Sequence, residues 1–219
     1  MCKLIDGKEL ARKTREKLKI ECDNLKKQGI LPKLAVIMVG DDKASQIYVK
    51  NKSKACQEIG IEFEEYFLGN DIKQKELIQL IQKLNCDKSI NGILLQSPIP
   101  KSLDINEAFR TILPEKDVDG FNPINVGKLC LNQETFVSCT PYGIIKMFEE
   151  YDIDLTGKNV TILGRSNIVG KPLIQCCLNK NATVTVCHSK TKNLKQFTQN
   201  ADILIVAIGK SKFITEDMI

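Results

Sequence analysis

The sequence of 219 residues lacks long apolar runs: no segment approaches the roughly 18 apolar residues that a membrane-spanning helix requires. Its first residues, MCKLIDGKELARK, also lack the apolar core of a secretory signal peptide. Tryptophan is absent, yet 42% of the residues are apolar and 27% are charged, which is typical of a folded globular protein. These features predict a soluble protein of the cytoplasm with no membrane partner.

The nine cysteines contain no C-x-x-C pair, and their odd number does not allow complete disulfide pairing within the chain. Structural zinc sites use closely spaced cysteine and histidine ligands, and the sequence has a single histidine. We therefore expect free thiols in a reducing compartment and no metal site.

The sequence has no block of like charges. Its formal net charge is +5, and the lysines are spread along the predicted helices. Proteins that bind nucleic acid usually concentrate basic residues on one face, so nucleic acid is not an expected partner. A mild positive charge suits a small anionic substrate or a phosphorylated cofactor instead.

Helical and strand patterns alternate along the whole chain, which predicts parallel sheets covered by helices. The predicted helices span about 7–28, 44–59, 73–84 and 105–112 and begin near 140, 170 and 194, and the predicted strands span about 33–40, 62–68, 91–96, 158–164, 182–187 and 201–209. Segment 114–126, with two prolines and a glycine, is predicted to be an ordered loop. Thr140 is predicted to cap a helix whose first residue is Pro141.

We therefore expect an α/β protein with two three-layer domains. The first would span residues 1–140, and the second, over residues 141–219, would be a Rossmann-like nucleotide-binding domain. Only three strands are visible in the second sheet, which would leave one of its edges open. The second domain is therefore expected to be incomplete.

The segment VTILGRSNIVGKPL has the order strand, turn and helix, with Gly164 and Gly170 on either side of the turn. In this context backbone N–H groups at the helix N-terminus can bind a pyrophosphate. The segment is not a G-x-G-x-x-G fingerprint, so an ordinary strand-to-helix turn remains the alternative.

The end of the next strand, VCHSKT, indicates which nucleotide would bind. NAD sites usually place an acidic residue there, which accepts a hydrogen bond from the ribose 2′-hydroxyl, but this segment has none. Ser189 and Lys190, together with Arg165 in the preceding turn, are donors that favour a 2′-phosphate. The sequence thus favours NADP over NAD, and we assign no proton transfer to His188, the single histidine.

A lysine lies on the predicted inner face of the helix ASQIYVKNKSKACQEIGI. At 100° per residue one arc holds Ser45, Tyr48, Val49, Lys52, Ala55, Cys56 and Ile59, with Lys52 at its centre. A lysine on a core face is costly unless it is paired or its function needs a depressed pKa. The alternative is a lysine whose stem packs while its ammonium group reaches water. Tyr48 lies one turn before Lys52, so both side chains could contact one substrate.

Polar residues follow the strand GILLQ and fill the loop PEKDVDGFN. Gln96 ends the strand, at the edge where ligands meet α/β sheets, and the prolines of SPIP stiffen the chain after it. Asp117 and Asp119 are flanked by Val118 and Phe121, and a partly enclosed carboxylate there could accept two bonds from an aminopyrimidine. An ordinary strand exit and solvated carboxylates remain the alternatives.

These segments, in this order, resemble the bifunctional methylenetetrahydrofolate dehydrogenase/methenyltetrahydrofolate cyclohydrolase family over almost the whole chain. The resemblance rests on the Ser-x-x-Tyr-x-x-x-Lys pattern from Ser45 and on QSPIP, PEKDVDGFNPINVGKL, CTPYG, GRSNIVGKP and CHSKT. It implies NADP-dependent oxidation of 5,10-methylenetetrahydrofolate and hydrolysis of the methenyl product to 10-formyltetrahydrofolate. It also implies a folate site between the two domains and a homodimer.

The resemblance further implies which residues form the sites. The catalytic residues would be Lys52, Tyr48, Gln96 and Asp119, with Lys52 as the catalytic lysine and Asp119 on the pterin-like ring. The substrate would be bound by Ser45, Tyr48, Lys52, Leu95, Gln96, Ser97 and Asp119. The NADP would be bound by Thr140, Gly164, Arg165, Ser166, Val169, Gly170 and Ser189.

The two reactions place different demands on these residues. Hydride transfer to the cofactor needs positioning, whereas hydrolysis needs attack by water and movement of protons. A neutral Lys52 could act there as base or relay. Replacement of Lys52 by Met or Ser is therefore expected to abolish the hydrolysis.

Two features depart from the family pattern. Ser97 stands where the family usually has leucine, which is expected only to adjust packing near the folate. The family also continues beyond ADILIVAIGKSKFITEDMI, with further strands and a glycine-rich segment near folate and nicotinamide, so the sequence is expected to lack that part. A non-catalytic NADP- or folate-binding fragment is therefore the alternative to the enzyme. An unrelated NADP reductase is a third possibility, against which Lys52, Tyr48 and the KDVDGF segment argue.

Overall fold

The computed structural model describes residues 2–219 and confirms the predicted α/β architecture with parallel sheets. The helices are α1 Gly7–Lys27, α2 Lys43–Ile59, α3 Gln74–Cys86, α4 Ile105–Thr111, α5 Pro123–Cys130, α6 Cys139–Glu150, α7 Gly170–Leu178 and α8 Leu194–Gln199, followed by a 3-10 helix at Glu216–Met218. The strands are β1 Lys33–Val39, β2 Glu62–Leu68, β3 Gly92–Gln96, β4 Asn159–Leu163, β5 Thr183–Cys187 and β6 Ile203–Val206. Among the described residues, no helix combines the length and the apolarity needed to cross a membrane.

The first compact unit, residues 1–125, contains a parallel sheet with strand order β2-β1-β3. Side chains alternate along the central strand, so the two faces of β1 enter different clusters. Ile37 packs with Leu77 of α3 in the larger cluster, whereas Met38 packs with Val49 of α2 in the smaller one. The sheet is thus covered by helices on both faces, as predicted for a three-layer domain.

The second unit, residues 126–219, repeats this arrangement with strand order β5-β4-β6. Val160 and Ile162 of β4 pack in a cluster with Leu173 of α7. Thr161 points to the other face, where its hydroxyl donates to the carbonyl of Phe197 in α8, 3.0 Å away. In both units the first strand is central, and the chain moves from the second strand back across it to the third. Such a reversal creates the crevice at the carboxyl ends of the strands where α/β proteins bind ligands.

The prediction that segment 114–126 forms a loop is wrong in its last part, because α5 begins at Pro123. Proline is favoured at the first position of a helix, where its missing N–H has no partner to lose. The side chain of Asn122 supports this start, since its Oδ1 accepts from the backbone N–H of Ile124 at 2.8 Å. The prolines therefore mark a turn and a helix start rather than a continuous loop.

The predicted cap of α6 is also wrong. The helix begins at Cys139 with Ser138 as the flanking residue, so Thr140 and Pro141 are its second and third residues. The hydroxyl of Ser138 makes no capping bond and instead donates to the carbonyl of Ile168 at 3.1 Å. This bond ties the start of α6 to the turn between β4 and α7.

The two compact units of the chain meet between Asn125 and Val126. This position is earlier in the sequence than the domain boundary expected near Thr140. The segment between these positions belongs to the second unit because Leu129 packs in the cluster formed around β4. The side chain of Asn179 in the second unit also donates to the carbonyl of Leu129 at 2.9 Å.

Candidate active site

Helix α2 carries the predicted catalytic lysine, and local capping determines where this helix begins and ends. The Asp42 carboxylate accepts from the backbone N–H of Ser45 at 2.7 Å, and this hydrogen bond lowers the pKa of Asp42. The helix ends at Gly60, whose positive φ of 86° allows the left-handed closing turn. Between these ends Val49 and Cys56 are buried, and Lys52 lies partly buried on the same side of the helix.

The structure brings Lys52 and Gln96 together. The Lys52 Nζ donates to Gln96 Oε1 at 2.9 Å, although the two residues lie on α2 and at the end of β3. The amide nitrogen of Gln96 donates to the carbonyl of Ser97 at 2.8 Å, so the orientation of the amide is determined on both sides. An ammonium group has three N–H donors, and two of them remain for a substrate or a water molecule.

Tyr48 is more exposed than its position on the predicted inner arc indicates. Its side chain is 63% exposed, whereas Ser45 is 2% exposed and Val49 is equally buried. The helix packs against the sheet through Val49, which contacts Met38, so Tyr48 lies at the rim of this contact rather than inside it. An exposed ring one turn before Lys52 is free to stack on a flat substrate, which a buried ring could not do.

The two aspartates of the PEKDVDGFN loop have different environments. Asp117 is 2% exposed, and its Oδ2 accepts from the backbone N–H of Asn122 at 2.7 Å and from the side chain of Asn125 at 2.9 Å. Asp117 also pairs with Ile93 as an isolated parallel bridge beside β3. Asp119 is only partly buried and lies in the turn that follows. Asp117 thus stabilises the loop, whereas Asp119 is the less buried of the two carboxylates.

Lys116, in the same loop, has a structural role that the sequence analysis missed. Its ammonium group donates to the carbonyls of Leu84, Asn85 and Asp87 at 3.0, 2.8 and 2.7 Å. These carbonyls belong to the last turn of α3 and the residue after it, where backbone acceptors lack partners within the helix. With three bonds the donors of Lys116 are used, so this lysine is not available to a ligand.

Leu95 and Ser97 flank Gln96 in the sequence, but their side chains do not lie beside the side chain of Gln96. Leu95 is buried in the cluster that contains Leu77, on the face of the sheet opposite α2. Any contact of Leu95 with a ligand on the α2 side is therefore restricted to its backbone. The Ser97 hydroxyl is buried and has no hydrogen-bond partner among the described residues, and a cis peptide bond follows it.

A cleft of about 700 Å³ lies at the carboxyl ends of β4, β5 and β6 in the second unit. This is the edge at which parallel α/β sheets bind nucleotides. Its lining consists of residues from the ends of the three strands and the start of α8: Leu163, Gly164, Arg165, Ser166, Cys187, His188, Ser189, Thr191, Leu194, Ala207, Ile208, Lys210 and Phe213.

Gly164 and Gly170 are explained by close packing of the backbone. Gly164 has a φ of 117°, and a Cβ atom there would lie 2.4 Å from the carbonyl oxygen of Ala207. A Cβ atom on Gly170 would lie 2.4 Å from the carbonyl oxygen of Gly164. The glycines therefore let α7 begin directly against the end of β4 and let β6 approach it from the other side.

The first amides of α7 already have partners within the protein. The hydroxyl of Ser166 accepts from the backbone N–H of Val169 at 3.2 Å and of Gly170 at 3.3 Å. The carbonyl of Ser166 accepts from the backbone N–H of Lys171 at 3.0 Å. The sequence analysis left these amides open to a pyrophosphate, but in the structure Ser166 caps the helix itself.

The polar side chains of the cleft fit a phosphorylated nucleotide. Of the described residues that line it none is acidic, and neither Arg165 nor Lys210 has an ion-pair partner. Ser189 adds a hydroxyl at the end of β5, where NAD sites usually carry a carboxylate. Burial raises the pKa of the Cys187 thiol, so this group stays protonated at neutral pH. The cleft can thus attract and bond phosphate oxygens without a competing anion.

The structure brings four of the seven predicted nucleotide-binding residues to this cleft: Gly164, Arg165, Ser166 and Ser189. The other three do not line it: Thr140 is exposed in α6, Val169 is partly buried and Gly170 is buried. Conversely, His188, Lys210 and Phe213 line the cleft but were not predicted. His188 directly follows β5, and this position was the available signal, because strand ends at this edge meet ligands. Lys210 and Phe213 lie in the segment after β6, and their contact with the cleft depends on how that segment folds.

The cleft of the second unit and the Lys52–Gln96 pair of the first unit fit a nucleotide-dependent α/β enzyme. Residues 5–119 match the family "Tetrahydrofolate dehydrogenase/cyclohydrolase, catalytic domain", and residues 138–219 match "Tetrahydrofolate dehydrogenase/cyclohydrolase, NAD(P)-binding domain". The chain belongs to the tetrahydrofolate dehydrogenase/cyclohydrolase family.

Individual relatives agree with this assignment. The bifunctional protein FolD of Acetivibrio thermocellus is 52% identical over 97% of this chain and 74% of its own length. The crystal structure of the bifunctional FolD dehydrogenase/cyclohydrolase of Campylobacter jejuni has a TM-score of 0.98 and 49% identity, covering 99% of this chain and 77% of that one. The FolD of Trypanosoma brucei, solved with NADP cofactor and inhibitor, has a TM-score of 0.91 and 32% identity, covering 95% and 72%.

Proposed function

We propose that this protein oxidises 5,10-methylenetetrahydrofolate with NADP and hydrolyses the resulting 5,10-methenyl cation to 10-formyltetrahydrofolate. The observation that carries the proposal is the 2.9 Å hydrogen bond between Lys52 and Gln96 at the carboxyl edge of the first sheet. This pair combines an amine, which can transfer protons, with an oriented amide, which can hold the amine in place during the hydrolytic step.

The hydrolysis requires two proton movements. Water loses a proton as it attacks the methenyl carbon, and a ring nitrogen gains one as its bond to that carbon breaks. A single amine that accepts the first proton in its neutral form and returns the second from its ammonium form serves both steps, and Lys52 is the candidate. Gln96 positions the Lys52 amine, since its own amide is held by the carbonyl of Ser97.

The remaining residues of the first unit orient the substrate. The exposed ring of Tyr48 can stack on the flat pterin-like ring, and Asp119 can accept two parallel hydrogen bonds from its aminopyrimidine edge. Ser45 and the backbone around Leu95 and Ser97 complete the proposed substrate contacts. The oxidation needs no further acid or base from these side chains, because it depends on positioning.

NADP, when bound, supplies the hydride acceptor. In this chain Arg165 and Ser189 are proposed to bond its 2′-phosphate, since both line the cleft and no acidic residue lines it with them. Gly164 and Ser166 shape the turn against which the nucleotide would lie. Thr140, Val169 and Gly170 would act by supporting this turn. A homodimer and a location in the cytoplasm are proposed from the family resemblance.

The test is an assay of both reactions with the purified protein. Addition of 5,10-methylenetetrahydrofolate and NADP is expected to produce NADPH absorbance, and NAD in place of NADP is expected to react more slowly. Separately prepared 5,10-methenyltetrahydrofolate is expected to lose its absorbance faster than in buffer alone. Nucleotide binding without either reaction would instead favour a non-catalytic binding fragment.

A further inference from the structure

The nucleotide cleft must neutralise a pyrophosphate without the usual help of a helix N-terminus. In many dinucleotide sites the first amides of the helix after the first strand bond the pyrophosphate. Here the amides of Val169, Gly170 and Lys171 are bonded to Ser166 instead. Cationic side chains can neutralise the two negative charges of the pyrophosphate instead, and the cleft offers Arg165 and Lys210.

Lys210 is placed for this purpose by the turn that follows β6. The turn starts at Ala207, whose backbone N–H donates to the carbonyl of Leu163 at 2.8 Å. After the turn, Asp217 is tied to α8, because its carboxylate accepts from Lys195 at 3.1 Å and its carbonyl accepts from Gln199 at 3.0 Å. The segment that carries Lys210 is thus anchored at both ends, and Lys210 lines the cleft as an exposed side chain.

Lys210 and the proposed 2′-phosphate site lie at opposite edges of the sheet. Ser189 follows β5, whereas Lys210 follows β6, and β4 lies between these strands. Neighbouring strands are about 4.8 Å apart, so the two strand ends are separated by roughly 10 Å. Ser189 and Lys210 thus approach the cleft from opposite edges of the sheet, which favours contact with different phosphate groups of one nucleotide. The adenosine half of the nucleotide would lie toward β5, and the pyrophosphate would lie over β4 and β6, where the strand order reverses.

We propose that Lys210 binds the pyrophosphate of the dinucleotide. It thereby serves the function of the helix amides, which are hydrogen-bonded to Ser166 in this protein. This inference rests on the proposed function, since it assumes that NADP is the ligand of the cleft. Lys210 then contributes to affinity for NADP and NAD alike, whereas Ser189 contributes to the preference between them.

Binding of nucleotide fragments separates these roles without any use of the enzymatic reaction. ADP carries a pyrophosphate but no 2′-phosphate, whereas 2′-AMP carries a 2′-phosphate but no pyrophosphate. For Lys210→Gln, titration calorimetry is expected to show affinity for ADP, NADP and NAD reduced by about tenfold and affinity for 2′-AMP unchanged. For Ser189→Ala the pattern is expected to reverse, with 2′-AMP and NADP weakened and ADP unchanged.

Lys212→Gln is the matched control, because it removes the same charge from an exposed residue of the same turn that does not line the cleft. Its affinities are expected to equal those of the unmodified protein. Unchanged binding of ADP by Lys210→Gln would overturn the inference, and so would a loss confined to 2′-AMP and NADP. Failure of the unmodified protein to bind NADP at all would instead overturn the proposed function.

Discussion

Replacement of Lys52 by methionine provides the most direct test of the proposed active site. Methionine keeps the unbranched apolar stem beside Val49 and Cys56 but removes the ammonium group that donates to Gln96. The cyclohydrolase rate is expected to fall by about 10² to 10⁴-fold, which is the usual contribution of a positioned acid or base. The dehydrogenase rate is expected to fall much less, since hydride transfer depends on positioning and on the cofactor.

The effect on folding should be small enough to separate from the effect on catalysis. The variant loses one partly buried hydrogen bond to a charged group, which contributes about 1.5 to 3 kcal/mol. Part of this loss is offset because the cost of removing a charge from water disappears with the ammonium group. Gln96 also keeps the bond of its amide nitrogen to the carbonyl of Ser97. A domain with the usual stability of about 5 to 15 kcal/mol therefore remains folded.

The assay follows the decay of 5,10-methenyltetrahydrofolate absorbance and, separately, the formation of NADPH. Lys54→Met is the matched control, because Lys54 lies exposed on the opposite side of the same helix. Both of its rates are expected to be unchanged. Circular dichroism and urea unfolding of the two variants verify that each is folded under the assay conditions.

A second variant tests whether Lys52 and Gln96 act as one unit. If the amide acts by positioning the amine, Gln96→Leu slows hydrolysis, and the double variant is no slower than Lys52→Met alone. Additive losses would show that the two groups act independently. Normal hydrolysis by folded Lys52→Met would refute the catalytic role of the lysine.

Other predictions concern stability. Lys116→Met is expected to lower the free energy of unfolding in urea by about 2 kcal/mol, because three carbonyls at the end of α3 lose their donor. Replacement of the exposed Lys88 by methionine should have no effect. Equal losses of stability in the two variants would contradict the structural role of Lys116. Ser97→Ala is expected to raise the free energy of unfolding by about 1 kcal/mol, since its buried hydroxyl has no partner among the described residues; a lower unfolding midpoint would contradict this. Burial raises the pKa of Cys177 from 9.0 to about 12, so the stability contributed by its neutral thiol is complete below pH 9.0 and is lost as the pH rises toward 12. In urea unfolding between pH 9 and 11, Cys177→Ala should reduce this loss and exposed Cys139→Ala should not; parallel curves for both would argue against it.

Much of the fold could be predicted from local patterns. The apolar runs of β1 and β4 and the regular alternation of helices and strands determined the class correctly, because these strands are buried on both faces. The start of α5 was missed because a proline can either break a helix or begin one. Only the bond from Asn122 to the amide of Ile124 distinguishes these cases, and it depends on the folded backbone.

Residues of the candidate sites could be predicted where their place on a single helix or strand already indicated a chemical role. Lys52 on an apolar arc and Gln96 at a strand end were both found in this way, and the strand order then brought them into contact. Lys116 and Lys210 were not found, since nothing local separates one lysine from the others of the chain. Their roles depend on which carbonyls or which cleft the fold places within reach of the side chain.

The two units show why the same topology can support different chemistry. Each sheet has its first strand in the centre and its third strand on the far side, so each has a crevice at the same edge. In the first unit the helix after the central strand contributes a side chain, Lys52, to a partner at the end of the third strand. In the second unit the corresponding helix begins with its amides capped by Ser166, and the charged side chain after the third strand, Lys210, faces the cleft instead. Topology thus determines where a ligand can bind, whereas the side chains that reach that edge determine which ligand it is.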